Sequence, residues 1–403
     1  MKVKMVLVFF SVLLLFSCNN SDETAEYTVD SEVFEDALKL ELEFGTENLP
    51  DEYLLARPRG IQVNDKNEVL VLDEDRIKVY DENGKPVKMF GRSGEGPGDF
   101  DNPFNLRISA NGYITVRNSR GSRNILLFSP EGFFIRQKSS QRIEALENLL
   151  TERNFRYIWP QGIVIALNES ESIFQIDPSE ISESLTSEND IFLIYESDNS
   201  YKILTQYDVS NDISVVYNSE RGPRTLVYGD PTEHLGIFLL EDLPDNRIVY
   251  THTFHETDIS ENKAEYNLII ISPNSADRSV ITRRFDPVEL VYEPPKNPPS
   301  NPGFKKLNDK IESIYNERKV KSPLQALLTD RHYIFAFTFQ ENEIGEFFTD
   351  VLDADSGEYI SSLYIPFIPD QIKNGYAYLL KRATQTEFAI IQKYRIDPSV
   401  YNK

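Results

Sequence analysis

Gly60-Ile61-Gln62-Val63, then Glu68-Val69-Leu70-Val71-Leu72-Asp73, then Arg76-Ile77-Lys78-Val79-Tyr80, and, after the turn Asp81-Glu82-Asn83-Gly84, Val87-Lys88-Met89-Phe90-Gly91: this stretch decides the fold. Each run is short, apolar and rich in β-branched residues, which suits a strand. The breaks carry Asn, Asp and Gly, the residues that tolerate the positive φ hairpins need. The result is four short strands in meander order, a unit spanning 56–100. A second unit at 102–140 repeats it, with strands at 106–109, 113–117, 124–128 and 133–137 and a turn at Pro130-Glu131-Gly132.

The hairpin signal continues along the chain. Tyr195-Glu196-Ser197-Asp198-Asn199, Ile271-Ser272-Pro273-Asn274 and Leu352-Asp353-Ala354-Asp355-Ser356-Gly357 each sit between two β-rich runs. Units of several tens of residues follow at 153–210, 211–288, 322–365 and 367–396, six in all. The sixth is one strand short, and a strand without a unit stands at 37–44, where Leu38, Leu40, Leu42 and Phe44 alternate with polar residues. Joining the two closes a ring. The expectation is an all-β, six-bladed β-propeller with four-stranded antiparallel blades, closed by the N-terminal strand. Helical periodicity is confined to 141–150 and 305–320.

The chain has 403 residues, of which 40% are hydrophobic, enough to bury a core and to exclude bulk disorder. Acidic residues outnumber basic ones 65 to 42, a formal charge of −23. A nucleic-acid partner needs a basic face, so that class is excluded.

Residues 1–17 read as a secretory signal. Lys2 and Lys4 form its positive start, and 5–16 an apolar stretch too short to span a membrane. The sole cysteine closes the run Leu15-Phe16-Ser17-Cys18, which resembles a bacterial lipobox, with Phe16 where that pattern ordinarily has a small or aliphatic residue. The resemblance implies lipidation of Cys18 and anchoring in the cell envelope, with the outer membrane expected and its periplasmic or surface face left open. A single cysteine allows no intrachain disulfide and no cysteine-ligated zinc. Residues 18–36 read as a flexible tether. Its acidic Asn19-Asn20-Ser21-Asp22-Glu23 also resembles the signals that send some lipoproteins to the cell surface.

The unit Ile61-Gln62-Val63 through Asp81-Glu82-Asn83-Gly84-Lys85 resembles an NHL-type propeller repeat. Phe90-Gly91-Arg92-Ser93-Gly94-Glu95-Gly96-Pro97-Gly98-Asp99-Phe100 resembles that family's blade-to-blade signature. With the lipobox, the chain resembles the six-bladed β-propeller lipoproteins of Bacteroidota type. The resemblance is specific in the first blade and fair in the second. In the later blades it rests on strand rhythm and the ending Arg395-Ile396-Asp397-Pro398. It implies fold and location, and no activity.

The motifs that suggest chemistry have plainer readings. The glycine-rich loop 91–98 precedes a strand, not a helix N-terminus, and Pro97 removes a donor, so it reads as a blade crossover rather than a phosphate cradle. The Asp353-Ala354-Asp355-Ser356-Gly357 run has glycine at position five and Tyr364 at position twelve, against the six and twelve of an EF-hand, and reads as a hairpin turn. In an extended chain His252 and His255 face opposite ways, a poor spacing for chelation. No metal or other cofactor is expected.

Propellers bind ligands at the mouth of the central channel. The chain leading into the innermost strands carries Arg57, Arg59, Asn105, Arg156, Tyr157, Trp159, His234 and Gln325, suited to an anionic, sugar-like or peptide ligand. Each also reads as a rim residue satisfying local backbone groups. The stiff run Glu293-Pro294-Pro295-Lys296-Asn297-Pro298-Pro299 leads into the helix at 305–320, an insertion at about 290–322. The function expected is a non-catalytic binding or scaffold module for an envelope protein, peptide or glycan. The membrane is touched through the lipid alone, and there is no nucleic acid. The alternative is a metal-assisted hydrolase or lyase at the channel mouth.

Overall fold

The computed structural model describes residues 33–46, 49–118, 124–138, 155–157, 160–176, 179–180, 190–198, 200–208, 214–219, 222–227, 236–260, 263–275, 277–291, 302–384 and 387–402. The signal segment, Cys18, the tether up to residue 32 and the stretch 141–150 lie outside the described residues.

The fold is a six-bladed β-propeller. Blade one contains Pro58–Val63, Val69–Asp73, Arg76–Tyr80 and Pro86–Phe90, paired in that order from the innermost strand outward. Blade two runs Pro103–Ile108, Ile114–Asn118, Ile125–Phe128, Phe134–Lys138, and blade three Pro160–Ala166, Glu171–Ile176, Asp190–Ser197, Ser200–Asp208. Blade four holds Phe238–Asp242, Ile248–His252, Lys263–Ile271 and Arg278–Arg284. Blade five holds Leu324–Asp330, Tyr333–Glu341, Phe347–Asp353 and Tyr359–Ile365. Blade six has Gln371–Lys373, Tyr376–Lys381 and Ile390–Ile396, and takes its fourth, outer strand from Leu38–Phe44. That strand pairs antiparallel from Leu38↔Ile396 to Phe44↔Ile391, so the two chain ends close the ring as the strand count requires.

The blade interfaces explain why the middle strands are apolar without alternation. Adjacent side chains of a strand point to opposite faces, and here both faces are buried. In blade one, Val69 and Val71 join an apolar cluster with Tyr378, Leu380 and Ile391 of blade six. Leu70 and Leu72 join another with Leu106, Ile114 and Leu126 of blade two. Four further clusters fill the seams two–three, three–four, four–five and five–six. Phe44 brings the closing strand into the six–one seam. Gly84, at φ +75°, lets the blade-one turn lie against the Phe44 ring, because a Cβ there would overlap Cγ of that ring.

Three features depart from the sequence expectation. A β-bulge between Leu40 and Leu42 breaks the alternation of the closing strand, leaving Leu40 exposed. Within the expected tether, Val33–Phe34 pairs in parallel with Ser362 and Leu363, covering part of the outer edge of blade five. Blade four begins at Phe238 rather than 211. Ser214–Ser219 and Gly222–Val227 form a hairpin of their own, and its Val215 packs on Leu307 and Ile311 of the helix Pro302–Arg318. Leu307 and Ile311 lie four apart, on one helix face. No helix among the described residues is long and apolar enough to cross a membrane.

The glycine-rich loop folds around Asp99, whose carboxylate accepts hydrogen bonds from Arg92 Nε at 2.7 Å and Gly96 N at 3.0 Å. Asp353 Oδ1 likewise accepts from the N–H groups of Asp355 and Ser356, closing the expected hairpin turn.

Candidate functional site

The C-terminal ends of the innermost strands enclose a cavity of about 220 Å³ at one mouth of the channel. Among the described residues, five blades line it. Gln62 comes from blade one, Arg107 from blade two, Glu241 and Asp242 from blade four, Thr329 and Arg331 from blade five, and Asp370, Gln371 and Lys373 from blade six.

Arg107 organises one wall. Its guanidinium forks onto both oxygens of Glu241 and reaches Asp242 Oδ1 at 2.7 Å, linking blade two to blade four. The other oxygen of Asp242 accepts the Ala110 N–H. Burial disfavours the charge on Arg107, but the two acids outweigh it and raise its pKa. Burial lifts Glu241 above the usual carboxylate range, and Arg107 offsets only part of that lift. Asp370, also raised by burial, accepts the Leu380 N–H at 2.7 Å. Lys373 pairs with Asp65 at 2.6 Å. Every one of these carboxylates is bonded within the ring.

Two glutamines are bonded on one side only. Gln62 Oε1 accepts the Ile108 N–H of blade two at 3.0 Å. Gln371 Oε1 accepts the Val63 N–H of blade one. Each carbonyl is therefore fixed by the next blade. Among the described residues neither amide NH2 has an acceptor, so the cavity presents two oriented donors.

Arg331 and Asn374 also line a second cavity of about 410 Å³, over the seam between blades five and six. Tyr333, Tyr376, Tyr401 and Arg395 complete it. Arg331 bonds Asp330 at 3.1 Å and lies 4.8 Å from the Tyr401 ring centroid. Asp330, wholly buried, also accepts from Asn374 N, Gly375 N and Tyr401 OH, tying blade five to blade six beneath the groove.

Among the described residues, Arg57, Arg59, Asn105 and Gln325, expected at the channel mouth, do not line this cavity. Arg57 and Arg59 are exposed. The Arg57 N–H bonds Asp73 at 2.6 Å, and Arg59 Nη1 bonds the Pro103 carbonyl at 2.5 Å. Asn105 is exposed at φ 50°. The Gln325 amide bonds the Thr338 carbonyl of its own blade. Arg156 and Tyr157 belong to a short strand, Phe155–Tyr157, paired with Ser179–Glu180. Trp159, His234 and Cys18 lie outside the described residues. The expectation looked at the N-terminal ends of the innermost strands, and the cavity lies at their other ends. Its signal was in the sequence, as charges set into apolar strands at Leu106-Arg107-Ile108 and Leu240-Glu241-Asp242.

The two histidines are also placed differently. The chain leaves the ladder after His252 and turns through 253–256, so the His252 and His255 rings stand on one side, 4.6 Å apart. His252 Nδ1 accepts the N–H groups of Phe254 and His255, which puts the ring proton on Nε2. Among the described residues no three metal-ligating side chains stand together.

No family model matches the chain, and no curated protein matches it. Solved structures are similar to it over most of their length. An exported protein of Bacteroides fragilis is 10% identical over 89% of this chain and 95% of its own, with a TM-score of 0.45. A gluconolactonase of Xanthomonas campestris is 10% identical over 85% and 86%, at 0.36. An α-L-arabinanase of Penicillium chrysogenum is 12% identical over 87% and 96%, at 0.38. Likenesses of this size concern the fold alone.

Proposed function

We propose that this propeller is a non-catalytic binding module whose site is the cavity at the C-terminal ends of its innermost strands. The observation that carries this reading is the pair of glutamine amides, each held by a neighbouring blade with its NH2 free. Two preoriented donors suit a ligand rich in acceptors, such as a peptide backbone or a glycan. The tyrosine-lined groove over the five–six seam gives an extended ligand a path outward. Cys18 carries the lipid that holds the disc to the outer membrane, and the acidic surface keeps it off anionic headgroups. The resemblance to NHL-type lipoproteins agrees with this setting.

A thermal-shift screen of the mature chain against tripeptides and neutral oligosaccharides tests the reading. Ligands that raise the melting temperature lose their effect in Gln62→Leu/Gln371→Leu and in Arg331→Ala. Shifts that persist in these variants, or a screen without shifts, overturn it.

A second reading, hydrolysis, rests on Glu241 and Asp370, two carboxyls that burial raises within one cavity. Turnover of any screened ligand that disappears in Asp370→Asn while binding survives would favour it.

A further inference from the structure

A separate cleft of about 400 Å³ opens where the helix Pro302–Arg318 ends against the blade-four turn. Its volume is in the range of small-molecule sites. Phe254, 42% exposed, and Ile259, 46% exposed, form one side, and Val320 and Pro323 another. The guanidinium of Arg318 lies 3.7 Å from the centroid of the Phe254 ring.

Among the described residues, none of the donors of Arg318 has an acceptor, and no carboxylate forms an ion pair with it. The neighbouring acid, Glu317, precedes Arg318 on the same helix and lines the cleft with it, but accepts the Ser313 hydroxyl at 3.2 Å. Nor does Arg318 turn back to cap the helix. The N–H groups of Lys319 and Val320 take the carbonyls of Tyr315 and Arg318. The surrounding hydroxyls are engaged: Thr253 Oγ1 accepts the Ile237 N–H, and Thr257 Oγ1 donates to the Thr253 carbonyl. Lys321 lies over Phe339 instead. Burial lowers the pKa of Arg318 and Glu317 offsets only part of that, so a ligand anion would meet a buried cation with no bonded carboxylate.

We propose that this cleft binds a small carboxylic acid with an apolar body. Arg318 takes the carboxylate through its planar pair of donors, and Phe254, Ile259 and Pro323 hold the ring or short chain. The site is independent of the channel mouth and of the function assigned there.

Saturation-transfer NMR and calorimetry on the mature chain test it, with benzoate as the probe and benzamide as its neutral isostere. Benzoate binds in the millimolar range, as expected for so small a ligand, and benzamide binds at least about tenfold more weakly. Arg318→Gln weakens benzoate about tenfold or more while leaving the melting temperature unchanged, and Arg318→Lys restores part of the loss. The proposal is overturned by equal binding of benzamide, by unchanged binding to Arg318→Gln, or by no benzoate signal up to about 20 mM. Loss of binding in Gln62→Leu/Gln371→Leu would also overturn it, since that places the ligand at the channel mouth.

Discussion

Arg107 at the channel mouth and Arg318 at the end of the helix are both partly buried guanidinium groups, and they are treated oppositely. Two carboxylates and a fork of hydrogen bonds answer Arg107. Arg318 is answered by the face of one phenyl ring. The two acids raise the pKa of Arg107, whereas burial lowers that of Arg318. A charge answered within the fold belongs to the architecture, here holding blade two to blade four across the channel. A charge left unanswered is available to a ligand. At the mouth, therefore, the proposed recognition rests on the half-bonded glutamines Gln62 and Gln371 rather than on the conspicuous Arg–acid cluster.

The largest test of this contrast is stability. Arg107→Leu leaves Glu241 and Asp242 buried without their cation, which costs about 3–5 kcal/mol. Arg318→Gln removes no bonded partner and changes stability by no more than about 0.5 kcal/mol. Chemical denaturation of both variants measures the difference, and equal losses would erase the distinction between the two regions.

A second test uses the imidazole beside the helix cleft. His252 is 1% exposed, and its pKa is pushed down to about 3 by burial first, then by His255 and Arg318. Tyr207 and the Glu256 bonded to it lie on the same side. Unfolded, the group titrates near 6.5. Above that pH it is neutral in both states and contributes nothing to pH dependence. Between about 6.5 and about 3 only the unfolded chain binds the proton, so stability falls by about 1.4 kcal/mol per pH unit. Buried carboxylates held low, such as Glu196 with its Lys138 partner, add their own loss as pH falls. His252→Asn keeps an acceptor for the Phe254 and His255 N–H groups and has no proton to take up. It should therefore show a shallower acid slope than the wild type. Identical slopes in urea titrations from pH 7 to 4 would show that His252 does not feel its neighbours.

The smallest effect sharpens the view of the groove. Tyr401→Phe removes one of several donors to Asp330 and leaves the ring under Arg331 in place. It should cost about 1–2 kcal/mol, read as a lower melting temperature. A neutral result would mean that the backbone N–H groups of Asn374 and Gly375 alone satisfy Asp330.

The fold was legible because a propeller repeats its local chemistry. Val69-Leu70-Val71-Leu72 reads as a strand buried on both faces, Asn83-Gly84 reads as a hairpin, and a missing strand at one end matched a spare strand at the other. The departures came where local rules met a neighbour. The bulge at 40–42 exposed Leu40, and Ser214–Ser219 paired with Gly222–Val227 and packed on the helix instead of joining blade four. The site was much less legible. Arg107 lies more than a hundred residues from Glu241 and Asp242 in sequence, and nothing in either segment names the other. The half-bonded state of Gln62 and Gln371 likewise depends on which backbone N–H the next blade presents.

The sequence by itself determined the strand rhythm, the blade count, the closing strand and the acidic surface, because strand pairing and turn geometry act over a few residues. Only the tertiary structure decided which mouth of the channel is lined, which charges are spent inside the ring and which, like Arg318, are left over. Burial and pairing are properties of neighbours in space, and the ring brings together residues that the chain keeps apart.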